Sequence, residues 1–402
     1  MFGFGKKNLE LDKDDRLGQL QRAFSSVACP HITDDVMAGG IVRAIRADKD
    51  GLVVELVVPT MALKDRDVLE KDVTAAAEGV LGKGTAVRFE TTSEVRPAIQ
   101  SEAGKSGLPG IQNVILVASG KGGVGKSTVA SNLAVALAEL GCKVGLLDAD
   151  IYGPSAPTMF GIADGTRPGT VAGPDPQKPM IAPLDRHGIK LMSIGFLVDT
   201  STPMVWRGPM IASAAMQLFK DVYWGDLDYL IVDMPPGTGD VQLTISQQVV
   251  CAGAVIVSTP QDVALADVIR AKAMFDKVAI PILGVVENMS YFVCDGCNKR
   301  HEIFFHGGAK NAAERMMVPF LGEVPIEPAV TRGGDDGHPV VVKEPESASG
   351  QAFFDLAREV ATSLAKAAFD TPEALAPPTI SITGGSLGKP TGPKKAGLPV
   401  VS

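Results

Sequence analysis

The sequence predicts an α/β protein: a doubly wound, mostly parallel sheet preceded by a small α+β domain. Three observations carry this expectation. From Ile111 onward, short apolar β-branched runs alternate with stretches of helical spacing, the pattern of a parallel sheet with helices on both faces. A glycine-rich loop, Gly120 to Thr128, stands between the first of those strands and the first of those helices. Residues 9–95 carry a separate pattern of helices and alternating strands.

Taken in order, 17–28 has helical spacing, and 41–47 and 52–58 alternate like hairpin strands around Asp48-Lys49-Asp50-Gly51. A helix over 66–81 and a last strand over 85–91 complete a domain at 9–95. Residues 96–110 are polar and rich in Gly, Ser and Pro, which suits a linker. The larger domain spans 111–369. Its strands are expected at 114–118, 143–147, 190–194, 229–233, 254–258 and 282–286. Helices fill the gaps at 127–140, 209–220, 241–250, 262–276, 307–315 and 350–368. Residues 370–402 are rich in Pro, Gly and Ala and read as a disordered tail.

Composition narrows the function. The chain has 402 residues, 45% of them hydrophobic, enough to fill real cores. A net charge of −8 without a basic stripe argues against nucleic acid as a partner. No apolar run approaches membrane-spanning length, and Met1 to Lys7 lacks a signal-peptide core, so no membrane partner and a cytoplasmic location are expected. Five cysteines are too few for a disulfide framework in a chain this long.

Gly120-Lys121-Gly122-Gly123-Val124-Gly125-Lys126-Ser127-Thr128 fits a phosphate-binding loop, and its flanks supply the strand and helix that the chemistry needs. Glycines let backbone N–H groups curl around phosphates, and the helix N-terminus adds its positive dipole end. Lys126 would pair with the β- and γ-phosphates, and Ser127 would ligate Mg²⁺. Leu147-Asp148-Ala149-Asp150 places two carboxylates beyond a strand's end, where acids can hold a metal ion or orient water. Tyr229 to Asp233 is an apolar strand ending in the acid that positions Mg²⁺, and the loop from Pro235 to Asp240 follows it. The chain is therefore expected to be a P-loop NTPase.

Lys121, beside the first glycine, makes the loop resemble the deviant-Walker ATPases, a class that includes MinD-like and ParA-like proteins. The resemblance is to the Mrp/ApbC iron–sulfur cluster carriers in particular. It rests on Asp148 to Ser155, Trp206-Arg207-Gly208-Pro209, Asp233 to Asp240, Glu287-Asn288-Met289-Ser290 and Cys294-x-x-Cys297, across about residues 110–365. It implies a Mg²⁺-dependent ATPase that carries a labile cluster to apo-proteins. It also implies ATP rather than GTP, a Lys121 that reaches a partner's nucleotide across a homodimer, Asp150 as the hydrolytic residue and Asn288 as the adenine contact. Magnesium would be held by Ser127, Asp148 and Asp233. Scaffold proteins join the apo-proteins as implied partners.

Cys294 and Cys297 have the spacing of soft-metal ligands, and a four-iron cluster takes four thiolates. One chain supplies one pair, so two chains about a two-fold axis supply four. The rival is a zinc site of Cys294, Cys297, His301 and His306. A positioning ATPase of the MinD/ParA kind would call for a basic amphipathic helix or basic face, which the sequence lacks. An electron donor would call for well-separated cluster cysteines. Residues 15–95 resemble the small assembly domain often fused ahead of such ATPases. That domain often carries a reactive cysteine; this chain has Thr60-Met61-Ala62-Leu63 instead, so an interaction role is the expectation. Cys29, Cys142 and Cys251 read as core filler.

Overall fold

The protein is described here from a computed structural model covering residues 15–371, apart from 49, 100–104, 106, 152, 174, 176, 198–207, 238 and 295, and also residues 381–382. At 208–212, 240, 262–265, 267 and 381–382 the backbone alone is described. The chain divides into two compact units, one from Met1–Val57, Arg66–Thr92 and Pro377–Ser402, the other from Val58–Asp65 and Ser93–Ala376.

The smaller unit contains α1 (Arg16–Phe24), β1 (Val42–Asp48), β2 (Gly51–Val58), α2 (Arg66–Leu81) and β3 (Val87–Ser93). Its sheet is ordered β15-β1-β2-β3, where β15 is Ser381–Ile382. The β1–β2 turn forms because Asp48 Oδ1 accepts the N–H groups of Asp50 and Gly51, at 2.8 and 3.0 Å. Leu20 and Phe24 of α1 and Leu69, Val73 and Ala77 of α2 are buried, and the two helices pack together. Contrary to the disorder that its composition suggests, the tail forms a strand at Ser381–Ile382, parallel to β1. The rest of that tail beyond 371 lies outside the described residues.

The larger unit begins with β4 (Ile111–Ala118), α3 (Lys126–Glu139), β5 (Val144–Asp148) and the short α4 (Ala156–Met159). Three small strands follow, β6 (Thr170–Val171), β7 (Met180–Ile181) and β8 (Leu184–Arg186), then β9 (Ile189–Ser193) and α5 (Gly208–Lys220). Next come β10 (Leu227–Asp233), α6 (Asp240–Gln248), β11 (Gly253–Ser258), α7 (Asp262–Lys277), β12 (Ile282–Val293) and β13 (Arg300–His301). The unit closes with α8 (Gly308–Met316), β14 (Phe320–Ile326), α9 (Pro328–Asp335), α10 (Val340–Lys343) and α11 (Ala348–Phe369). The main sheet runs β13-β12-β11-β4-β10-β5-β9-β8, with β14 added beside β12. Its pairs are parallel except at β12–β13 and β8–β9.

The central strands are apolar on both faces because helices cover both: Ile115, Leu116, Leu147, Ile231, Val232 and Val255 are fully buried. α3 is buried nearly all round, from Val129 to Leu137, since it lies between strands and α11. α11 faces inward through Phe353, Leu356, Val360 and Leu364, spaced as one helical stripe, and Ser347 caps it by accepting the Gly350 N–H at 3.1 Å. Register then aligns the functional strand ends. Asp233 at the end of β10 pairs with Val117 of β4 on one side and Asp148 of β5 on the other.

Val58–Asp65 lies inside the 9–95 span yet belongs to the larger unit. The Tyr229 hydroxyl donates to Thr60 Oγ1 at 3.0 Å, and the Lys64 N–H donates to Thr362 Oγ1 at 2.9 Å. Thr60 is fully buried, so it sits among core side chains rather than on an open surface.

Candidate functional site

The phosphate-type loop leaves β4 at Ala118 and enters α3 at Lys126. Gly123 and Gly125 take φ of +82° and +81°, the left-handed region where a side chain is strained. Packing makes Gly125 stricter still, because a Cβ there would lie 2.2 Å from Asn288 Nδ2. That amide donates to the Val124 carbonyl at 2.8 Å, so β12 grips the loop from its flank. Lys121 is exposed, whereas Lys126 is buried.

Three acids converge near Lys126, but they do different things. Lys126 Nζ is hydrogen-bonded to Asp233 Oδ1, lies 3.2 Å from Ser127 Oγ and stands 3.8 Å from Asp150 Oδ2. A buried ammonium between two carboxylates is charge-compensated until an anion arrives to compete for it. Asp148 is turned elsewhere. Its Oδ1 accepts the Asp150 N–H at 3.1 Å, and its Oδ2 accepts the Ala156 N–H at 3.1 Å and the Ser193 hydroxyl at 3.0 Å. Full burial, with the Asp233 charge alongside, pushes its carboxyl up to about 7. Asp148 thus organises the turn that presents Asp150.

The loop after β10 is tied to the same place. The Gly237 N–H donates to the Ser119 carbonyl at 3.0 Å, and the Ser119 hydroxyl donates to the Lys121 carbonyl at 2.8 Å. Thr238 and the pair Trp206-Arg207 lie outside the described residues. Two cavities flank the loop. One, of about 480 Å³, is lined by Thr128, Ser155, Asn288, Met289, Phe304 and Ile326, among others. The other, of about 340 Å³, borders Lys121, Gly122, Gly123, Thr259, Met289 and Phe304.

Cys294 and Cys297 occupy the tip of a hairpin made by the end of β12 and β13. The Cys294 N–H donates to the Lys299 carbonyl at 3.0 Å, and the Asn298 N–H donates to the Cys294 carbonyl at 2.7 Å. Below the tip, the Arg300 guanidinium stacks 3.8 Å over the Tyr291 ring and reaches Glu323 at 3.2 Å. Cys297 is exposed and Cys294 half-buried, while Cys29, Cys142 and Cys251 are buried. Burial pushes the Cys29 thiol up to about 12 and also raises that of Cys142, so both are poor nucleophiles and ligands.

The cysteines do not assemble with His301 and His306. Among the described residues, the group whose ligand atoms come within 4.8 Å of one another is Glu287, His306 and Glu323. Its carboxylates already have donors. Glu287 Oε1 accepts from Ser290 Oγ at 2.7 Å and from the Gly307 N–H at 3.0 Å, and Oε2 accepts from the Ala309 N–H at 2.8 Å. In the sequence, Glu287 and Met289 stand in one motif without a role for either, and Phe304 is not singled out. The run Ile303-Phe304-Phe305 was the visible signal, since apolar side chains beside a polar cysteine loop need a reason.

Comparison with known proteins supports the same picture. Residues 110–361 match the family described as ParA: NUBPL iron-transfer P-loop NTPase. An iron–sulfur cluster carrier protein of Synechocystis is 44% identical over 338 residues, 84% of this chain and 92% of its own. An Arabidopsis thaliana iron–sulfur protein required for NADH dehydrogenase, mitochondrial, is 52% identical over 64% of this chain and 80% of its own. Among solved structures, a nucleotide-binding protein of Archaeoglobus fulgidus in complex with ADP is 41% identical. It covers 60% of this chain and 92% of its own, with a TM-score of 0.51.

Proposed function

The chain belongs to the NUBPL iron-transfer P-loop NTPase family, and from that premise we propose that it is an ATP-hydrolysing carrier of iron–sulfur clusters. The exposed Cys294–Cys297 hairpin on a strand that also touches the phosphate loop carries this reading most directly. The nucleotide's phosphates occupy the loop from Gly120 to Thr128, and Lys126 exchanges Asp233 for phosphate oxygens. Left-handed glycines whose N–H groups have no Cβ in the way suit that cradle. The adenine lies in the larger cavity beside Asn288.

Ser127 and Asp233 would hold magnesium, which when bound would draw charge off the phosphates. Asp148 belongs to the same set, but its oxygens are committed to Asp150, Ala156 and Ser193. Its contribution is to hold Asp150, which orients the attacking water. Lys121, exposed in one chain, reaches the nucleotide of a second copy.

A four-iron cluster is the cargo, bridged by the cysteine pairs of two copies and passed to apo-proteins, with scaffold proteins as its source. The net charge of −8 favours protein partners over nucleic acid. No helix among the described residues is long and apolar enough to cross a membrane, and cytoplasmic work is the proposed setting.

The test is anaerobic reconstitution with iron, sulfide and zinc quantified, alongside Cys297→Ser. About four irons per dimer, lost in the variant, is the expected result. Stoichiometric zinc that iron cannot replace would overturn the carrier reading.

A further inference from the structure

The strand β12 passes the phosphate loop and then ends at the first cysteine. At Asn288 it holds the Val124 carbonyl. One residue on, Met289 adopts a φ of +56°, and the register with β14 shifts between Asn288 and Phe292. A non-glycine residue in that region is held there by its surroundings. Its side chain borders both cavities of the nucleotide site. The chain then forms the hairpin, with Phe292 opposite His301 and Val293 opposite Arg300. On its return Phe304 borders the same two cavities. The excursion closes where Gly307 and Ala309 donate their N–H groups to the fully buried Glu287 carboxylate.

Both limbs of the cysteine excursion are therefore fastened at one side chain, adjacent to the residue that grips the phosphate loop. Resting on the nucleotide and cysteine assignments above, we propose that Glu287 is a positioning residue that couples the two sites. By clamping the return limb to β12, it makes the hairpin and the phosphate-loop contact move as one body. Phosphates that reshape the loop at Val124 then shift Asn288, the Met289 bulge and the cysteines together. Without the clamp, the return limb with Phe304 is released and the hairpin no longer reports loop shape. Glu287→Gln disables it selectively: the amide's NH₂ faces an N–H donor where an acceptor is required, at nearly unchanged volume.

The test reads thiols, so it does not depend on a cluster. Alkylation of Cys297 by iodoacetamide is followed by mass spectrometry, with and without Mg-ADP, in the metal-free full chain. Affinity for Mg-ADP is measured separately by calorimetry. In the natural chain, Mg-ADP is expected to change the alkylation rate by about fivefold or more, the usual scale of coupling between sites. In Glu287→Gln the response should shrink to less than about twofold, while Mg-ADP affinity stays within about threefold. Glu287→Asp, too short to reach both N–H groups, should give the same loss and guards against a variant that fails to fold. A purely structural role would lower the melting temperature and leave the response intact; that result, or a natural chain with no response, overturns the proposal. Failure of the nucleotide assignment would appear in the calorimetry and failure of the cluster assignment in the iron content, so neither is confused with failure of the coupling.

Discussion

At the scale of single residues, charged partners and hydrogen-bond donors separate acids that look alike in the sequence. Asp148, Asp150 and Asp233 each stand at or beyond a strand end, and spacing alone gives them similar roles. In the fold all three are buried, but Asp233 and Asp150 face Lys126, whereas Asp148 is surrounded by donors. This difference has a pH signature. Burial, then the Asp233 charge, raises the Asp148 carboxyl to about 7 from an ordinary value of 3.8. The folded chain thus keeps a proton that the unfolded chain has already released. The stability it contributes is full below about pH 4 and is lost as pH rises towards about 7. Thermal melts of the nucleotide-free protein from about pH 5 to pH 7.5 should show a falling melting temperature, and Asp148→Asn should flatten that slope. An unchanged slope would mean that other groups govern it.

At the scale of elements, the six strands expected from β-branched runs all form, and the helix over 66–81 has the expected bounds. Those runs were legible because burial on both faces demands an unbroken apolar strand. β14 was not, since Phe320 to Ile326 carries Gly322, Glu323 and Pro325 and pairs only beside β12. β12 itself runs beyond its apolar core to Val293, so the cysteines sit on a hairpin where the sequence suggested a loop. Polar residues extend a strand when tertiary pairing provides the partner. The contact between elements also sets a prediction. Gly125→Ala combines a φ of +81° with a Cβ 2.2 Å from Asn288 Nδ2. It should cost about 1–3 kcal/mol, read by denaturant melts, and break the Asn288–Val124 bond. Mg-ADP affinity should fall roughly tenfold in calorimetry, at 1.4 kcal/mol per decade.

At the scale of the whole molecule, the chain makes two units, whose border passes within residues 9–95. Val58–Asp65 crosses it because Thr60 and Lys64 find their partners, Tyr229 and Thr362, far along the chain. A second copy completes the proposed machine. Lys121→Ala should leave Mg-ADP affinity within about threefold, since Lys121 is exposed in its own chain, yet slow ATP turnover by about 100-fold. Turnover per chain should rise with concentration in the natural protein and not in the variant; equal turnover would remove the trans role. The sequence by itself determined the sheet class, the glycine loop between β4 and α3 and the spacing of the cysteine pair, because turns, periodicity and ligand spacing are local properties of a chain. Tertiary structure alone decided that Asp148 turns inward, that Glu287 fastens both limbs of the cysteine excursion and that Phe304 returns to the phosphate loop. Those outcomes depend on which buried donor meets which acceptor, and close packing chooses such partners among residues that no local pattern connects.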